Sequence, residues 1–373
     1  NNQYFVDAVL EELKTIYGHE LVSSGGIRVF TTLNSNLQKR AEEDALHHLE
    51  FLEKKIVPRE KKLQVAAVTI DNKNGAIRVM LGGKNYGRSQ FNRALSTNRM
   101  IGSSFKPFVY LTAMQKLGFH PGTVLVDEPT VFKLPHNKKW EPANFNDEYM
   151  GPVVLKKAFS KSLNIISAKL IFKTTPTEVL KTARKFGFKS SLTKNFSLSL
   201  GATGASPFEL ATAYSVIANL GSYKAPFYVS KIEDYQGNIL YEHFVEEEKR
   251  FEPLDIYPLL DMMKGVMDNG SGRVIRRMGF KYPAGGKTGT TNDFRDAWFT
   301  GFTPHLTTSV WIGYDDNVSM LRPNEKGVTG AHAAAPIWSL IMAEVLGKGG
   351  KRGFPIPREI RFEYANNSDG FYE

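Results

Sequence analysis

The 373-residue chain contains no cysteine, which excludes a disulfide framework, a thiolate nucleophile, Cys-ligated zinc and thiol redox chemistry together. Zero cysteine is compatible with any compartment. Long apolar runs are missing too. The run from Phe105 to Met114 is interrupted by Pro107, Tyr110 and Thr112 and falls well short of the ~20 residues that cross a bilayer. The histidines offer no His-Glu-x-x-His pair or other ligand spacing, so no metal is expected and His47-His48 read as surface residues. There is no internal repeat or low-complexity tract. With Asn1 first, and neither Met nor a charged-then-apolar leader, the chain is expected to be a piece of a longer protein.

Hydrophobic residues make up 42% and charged ones 23%, enough to bury a substantial core. At ~150 residues per domain, the length suits one large domain with an accessory piece. Lys plus Arg number 48 against 38 Asp plus Glu, a net charge of +10. That balance suits an anionic neighbour such as nucleic acid, acidic lipid or an acidic polymer without choosing among them. The basic residues form no tract with interleaved aromatics, so a nucleic-acid groove is not expected. A generally basic, solvated surface is the simpler reading.

Val6, Val9, Leu10, Leu13 and Ile16 fall at helical spacing before Gly18, and a short strand follows at residues 27–32. Asn34 or Ser35 can cap a second helix with Leu37, Ala41, Ala45, Leu49 and Leu52 on one stripe. Charge around Pro58 marks a boundary. Beyond it, residues 63–70 and 76–81 read as a hairpin turning at Asn74-Gly75. Helices are expected over 101–117, 156–172, 206–220, 254–267 and 333–346, and an antiparallel meander over 284–314. The resulting division is a helix-strand-helix subdomain at 1–60, a main domain at 61–346 and an irregular tail at 347–373.

Familiar chemical motifs fail on spacing. Gly286-Lys287-Thr288 would need a glycine five residues earlier to close a phosphate loop, and Lys281 stands there. Gly270-Ser271-Gly272 lacks the outer glycines of a nucleophile elbow and reads as a turn. What remains is Ser103-Ser104-Phe105-Lys106 at the start of a helix apolar on nearly all sides. Three residues are one helical turn, so Ser103, and not Ser104, shares a face with Lys106. A partly desolvated lysine can act as the base that a serine nucleophile needs. Chance supplies about two Ser-x-x-Lys pairs in such a composition, and the second, Ser191 with Lys194, sits in a polar turn.

Two further elements in fixed order give the first its weight. Ser162-Leu163-Asn164 could project one side chain that relays a proton and one that holds an amide; a solvated helix face is the bland alternative. Lys287-Thr288-Gly289-Thr290-Thr291 falls on a strand, where alternation separates Lys287 and Gly289 from Thr288 and Thr290. Gly289 would let a substrate backbone approach an edge offering N–H groups.

These motifs resemble the class A, bifunctional penicillin-binding proteins. The resemblance extends to Pro107-Phe108, the run Pro142 to Asn164, Asn292-Asp293, Asp296-Ala297-Trp298-Phe299, Ala334-Ala335-Pro336-Ile337, and Tyr4-Phe5-Val6 with Arg28 to Leu33. It implies an α+β fold of the penicillin-binding and serine β-lactamase kind. A central antiparallel sheet would be flanked by helices on both faces, with the Ser103 helix buried and a small N-terminal linker subdomain alongside. It also implies a D,D-transpeptidase that cross-links peptidoglycan stem peptides through an acyl-enzyme on Ser103 and is acylated by β-lactams. Lys106 would take the Ser103 proton, Ser162 would pass one to the leaving amine, and Asn164 would hold the donor's amide. Lys287 would keep the cleft positive, Thr288 and Thr290 would receive the terminal carboxylate, and backbone N–H groups of Ser103 and Thr290 would form the oxyanion hole. Gly289 would let the donor backbone lie against the strand.

No cofactor, metal or nucleic acid is implied. The expected partners are D-Ala-D-Ala donors, amine acceptors, β-lactams and a membrane-anchored glycosyltransferase portion outside this chain. The expected place is the outer face of the bacterial cytoplasmic membrane. One departure is Thr329-Gly330-Ala331, with alanine in the family's usual second glycine position. A D,D-carboxypeptidase or serine β-lactamase, and a penicillin sensor without turnover, stay open as alternatives. Rapid hydrolysis is disfavoured because no counterpart of the deacylating glutamate is evident.

Overall fold

The computed structural model describes residues 2–24, 26–134, 136–323, 326–346 and 353–362. In chain order, α1 (Gln3–Ser24), β1 (Ile27–Thr31) and α2 (Ser35–Glu53) precede β2 (Gln64–Asp71) and β3 (Ile77–Leu81). Next come α3 (Lys106–Leu117), β4 (Val124–Asp127), β5 (Gly151–Val154), α4 (Leu155–Lys161), α5 (Asn164–Thr174) and α6 (Pro176–Lys185). They are followed by α7 (Pro207–Ala218), β6 (Val229–Asp234), β7 (Ile239–Glu242) and α8 (Pro253–Asp268). The last four are β8 (Gly285–Thr290), β9 (Asp296–Phe302), β10 (Leu306–Gly313) and α9 (Ala334–Leu346).

The hairpin and the meander merge into one antiparallel sheet of order β8-β9-β10-β2-β3. Every inner strand is buried on both faces, so the period of two sorts residues between two cores. Val65, Ala67, Phe299 and Val310 face the core closed by α2 and α9. Ala66, Val68, Trp298 and Trp311 face the core that holds α3, α5, α7 and α8. This is the helix-sheet-helix arrangement expected from the resemblance. On the edge strand β3, the Gln38 carboxamide of α2 accepts from the Met80 N–H at 2.9 Å and donates to its carbonyl at 2.8 Å, closing backbone groups that would otherwise be buried unpaired.

Asn34 is the cap of α2, its side chain accepting from Leu37 N–H at 3.1 Å. The strand β1 joins a three-stranded sheet of order β1-β6-β7, which ties the N-terminal segment to the rest of the chain. Three details depart from the sequence reading. Gly18 kinks α1 (φ 76°) and the helix continues to Ser24, because glycine alone adopts that conformation without steric cost. The helix expected over 101–117 opens as a 3-10 turn at Gly102–Phe105 and becomes α-helical at Lys106, with Pro107 in its first turn, where proline's missing N–H has no partner to lose. The helix expected over 156–172 is two helices, broken at Ser162 in the left-handed conformation (φ 61°). Of the tail, residues 353–362 carry no helix or strand, while 347–352 and 363–373 lie outside the described residues.

Candidate active site

The site forms where the 3-10 turn before α3 meets the break between α4 and α5 and the strand β8. Phe108, Val109, Tyr110 and Leu111 are completely buried, so α3 is fixed along its length and Lys106, in its first turn, is carried inside with it. The turn ahead of α3 is pinned by its backbone: Tyr214 OH donates to Ser104 O at 2.7 Å and Trp298 Nε1 to Met100 O at 2.9 Å. Gly102 (φ 53°) sits so close to β8 that a Cβ there would lie 2.7 Å from Thr290 O. That approach puts the backbones of Ser103 and Thr290 side by side. Ser103 is half-buried, and its hydroxyl has no hydrogen-bond partner among the described residues.

Lys106 Nζ meets the break at Ser162. It lies within hydrogen-bond distance of Ser162 O (2.6 Å), Leu163 O (3.3 Å), Asn164 Oδ1 (2.8 Å) and Ser162 Oγ (3.2 Å), a choice of acceptors larger than one amine can serve at once. From the other side, Lys287 Nζ on β8 donates to the same Ser162 Oγ at 2.8 Å and to Thr288 O at 3.2 Å. Both lysine side chains are fully buried. Burial lowers Lys106 well below the ordinary lysine range, the neighbouring Lys287 lowers it further, and Asp127 opposes the shift. Burial alone brings Lys287 down to about 7. A Ser162 hydroxyl accepting from two lysines still has its own proton to give, so the trio can hold and pass protons at neutral pH.

The rim of β8 is lined by hydroxyls. Thr290 Oγ1 accepts from Gly330 N–H at 3.0 Å, which leaves its proton free to donate into the cleft. Gly330 reaches this position because it has no side chain: a Cβ would lie 2.1 Å from Trp298 O. The contact is thus made by the first glycine of Thr329-Gly330-Ala331. At Gly289 a Cβ would meet Ile101 O and Ser104 Oγ, both at 2.5 Å, so its first effect is to let the turn at Gly102–Phe105 pack on β8. Thr288 Oγ1 and Ser271 Oγ are 2.6 Å apart.

The structure therefore gathers Ser103, Lys106, Ser162, Asn164, Lys287, Thr288, Gly289 and Thr290 at one cleft and leaves Ser191 on the exposed surface. Sequence reasoning missed Ser271. Its Gly-Ser-Gly turn packs beneath the cleft, where Ser271 N–H donates to Ser160 O at 3.1 Å and a Cβ on Gly270 would lie 2.4 Å from the same carbonyl. Flanking glycines were the available signal, and they distinguish a buried close approach from an ordinary turn only once the neighbour is known. Also missed were Asp127 and Asn144 behind Asn164, whose only mark was their place before and within the Pro142 to Asn164 run. Gly201 escaped notice too, although a Cβ there would lie 1.8 Å from Gly102 O.

No group of three or more His, Asp or Glu side chains able to hold a metal occurs among the described residues. Nor is any described helix long and apolar enough to cross a membrane.

Residues 65–343 match the penicillin-binding protein transpeptidase domain. The chain is 35% identical over 300 residues to penicillin-binding protein 1A of Aquifex aeolicus, covering 80% of this chain and 40% of that protein. It is 33% identical over 367 residues to penicillin-binding protein 1B of Vibrio cholerae, covering 96% and 45%. It thus spans less than half the length of these two relatives. The Mycobacterium tuberculosis PonA1 protein, solved in complex with penicillin V, superposes with a TM-score of 0.81 over 96% of both chains at 24% identity. By its match to the family model and its identity with these relatives, this chain belongs to the family of penicillin-binding protein transpeptidase domains.

Proposed function

We propose that the chain is a D,D-transpeptidase acting on peptidoglycan stem peptides through an acyl-enzyme on Ser103. The observation that carries this reading is the pair of buried lysines converging on Ser162 Oγ beside a half-buried serine that no other group engages. Ser103 gives its proton to neutral Lys106, and its Oγ forms a bond to the carbonyl carbon of the penultimate D-alanine. The oxyanion lies between the N–H groups of Ser103 and Thr290, each worth about 3 kcal/mol to the transition state. As the amide C–N bond breaks, Ser162 passes a proton to the departing D-alanine amine and is reprotonated from the lysines. Asn164 holds the donor's amide, Lys287 keeps the cleft positive, and Thr288 and Thr290 receive the carboxylate, while Gly289, against which the turn at Gly102–Phe105 packs, serves the packing of that turn and not the substrate. An amine of a neighbouring stem then attacks the ester carbonyl, forming the cross-link amide and returning the proton and Oγ to Ser103.

A β-lactam presents the same carbonyl and carboxylate with a leaving nitrogen that stays tethered, so it acylates Ser103 and blocks the acceptor. No step uses a cofactor. The carboxylate that acts on Lys106, Asp127, is buried and accepts from Asn144 and Met150, which disfavours water activation and hence a fast hydrolase. We assign residues 1–60 to a linker subdomain, 61–346 to the transpeptidase and 347–373 to a tail. We further propose that the intact protein carries a glycosyltransferase portion and works at the outer face of the cytoplasmic membrane, anchored outside this chain.

Intact-protein mass spectrometry after incubation with benzylpenicillin tests the assignment. One penicillin mass should add to the wild type and to Ser191→Ala but not to Ser103→Ala. An adduct that survives Ser103→Ala sinks the reading, and D-alanine release with and without an amine acceptor separates transfer from hydrolysis.

A further inference from the structure

Behind the lysine pair lies a buried polar chain that the reaction above does not use. Asp127, the last residue of β4, is completely buried. Its carboxylate accepts from Asn144 Nδ2 at 2.9 and 3.0 Å and from Met150 N–H at 2.9 Å. Asn144 is itself buried, and its Oδ1 accepts from Asn164 N–H at 2.8 Å and Ile165 N–H at 3.2 Å, the first two amides of α5. No side chain within α5 caps that end, so a residue 20 positions upstream supplies the missing acceptor.

The orientation of the Asn144 amide is fixed by chemistry. A carboxylate only accepts and backbone N–H groups only donate, so the Asn144 nitrogen faces Asp127 and its oxygen faces α5. Ala143 O, next in the chain, accepts from Asn164 Nδ2 at 2.9 Å, which turns Asn164 Oδ1 toward Lys106. The positions of the Ser162 and Asn164 groups against Lys106 are therefore set through Asn144, with Asp127 as the anchor.

We propose that Asp127 and Asn144 are positioning residues for acylation of Ser103: Asn144 locks the start of α5 so that Ser162 and Asn164 meet Lys106, and Asp127 holds Asn144 and places a compensating negative charge behind that lysine. This rests on the acyl-transfer reading given above. Two charged groups act on Lys106, Lys287 from β8 and Asp127 from β4, with opposite effects. Tyr110, one turn along α3, is pushed up mainly by burial and also by Asp127, and stays protonated. Removing the Asp127 charge makes Lys106 easier to deprotonate and a weaker base.

The test is the pH dependence of acylation by benzylpenicillin in the 373-residue chain, for wild type, Asp127→Asn and Asn144→Ala, with thermal melts alongside. Asp127→Asn keeps the shape and can still meet Asn144, so it is expected to fold, to acylate several-fold more slowly at the plateau, and to move the acidic limb of the rate profile to lower pH. Asn144→Ala should cut the acylation step by on the order of 100-fold, the effect of misplacing a reacting group by about 1 Å. It should do so with the limb unmoved. A wild type that does not acylate at Ser103 defeats the acyl-transfer reading itself. A wild type that acylates, beside an Asp127→Asn variant whose plateau and limb are unchanged or which fails to fold, overturns the positioning role. If Asn144→Ala does not fold, the limb of Asp127→Asn decides alone.

Discussion

The contact between Ser271 and Thr288 allows the sharpest prediction from the proposal that Thr288 receives a carboxylate. With the two hydroxyl oxygens 2.6 Å apart, one must donate to the other. When Ser271 donates, the Thr288 proton points into the cleft toward a substrate carboxylate. Ser271→Ala removes one hydroxyl-to-hydroxyl bond, whose net worth is about 1 kcal/mol, or about five-fold in the second-order acylation constant. Thr288→Ala removes the bond proposed to the anion itself, about 1.5–3 kcal/mol, or roughly 10- to 150-fold. Because Ser271 acts only through Thr288, the double variant should be no slower than Thr288→Ala alone, a non-additivity that reports coupling directly. The assay is the rate of labelling by a fluorescent penicillin in competition with benzylpenicillin or its methyl ester. The Ser271→Ala loss should shrink with the ester, which lacks the negative charge. Full additivity of the two substitutions, or the same loss with acid and ester, would refute the reasoning.

Burial of Lys287 carries a stability prediction opposite in sign to its catalytic one. Its folded value of about 7 lies below the ordinary 10.5, so between those values the unfolded chain holds a proton that the folded chain has lost, and stability rises with pH across that window. Lys287→Met should therefore raise the melting temperature most below pH 7, converge with wild type as pH approaches 10.5, and abolish acylation; a lower melting temperature at pH 6 would contradict it. Gly201 has φ 73° and no room for a Cβ against Gly102 O. Gly201→Ala should cost about 3 kcal/mol in denaturant unfolding and displace the nucleophile turn, lowering acylation as well. A change under 0.5 kcal/mol would show that the approach is not tight.

The chain's own pattern was sufficient for the strands of the central sheet, for most of the main helices and for the local half of its chemistry, but not for α6 or the strands β4 to β7. Alternating and helical periods located the hairpin, the meander and the main helices, because side-chain direction repeats every two residues on a strand and every 3.6 on a helix. Ser103 and Lys106 share a face for the same reason, since one helical turn is geometry that needs no partner. The rest was settled by tertiary packing. Ser162 and Lys287 meet across 125 positions, Ser271 reaches Thr288 through a glycine-flanked turn, and the break at Ser162 presents its carbonyl to a lysine from another helix. The lowered lysines belong to that second class as well: desolvation depends on everything packed around a group, and no spacing in a sequence records it. Asp127 and Asn144 show the same limit, for as an acid at a strand end and an amide in a loop they are ordinary residues until the fold puts them behind Lys106.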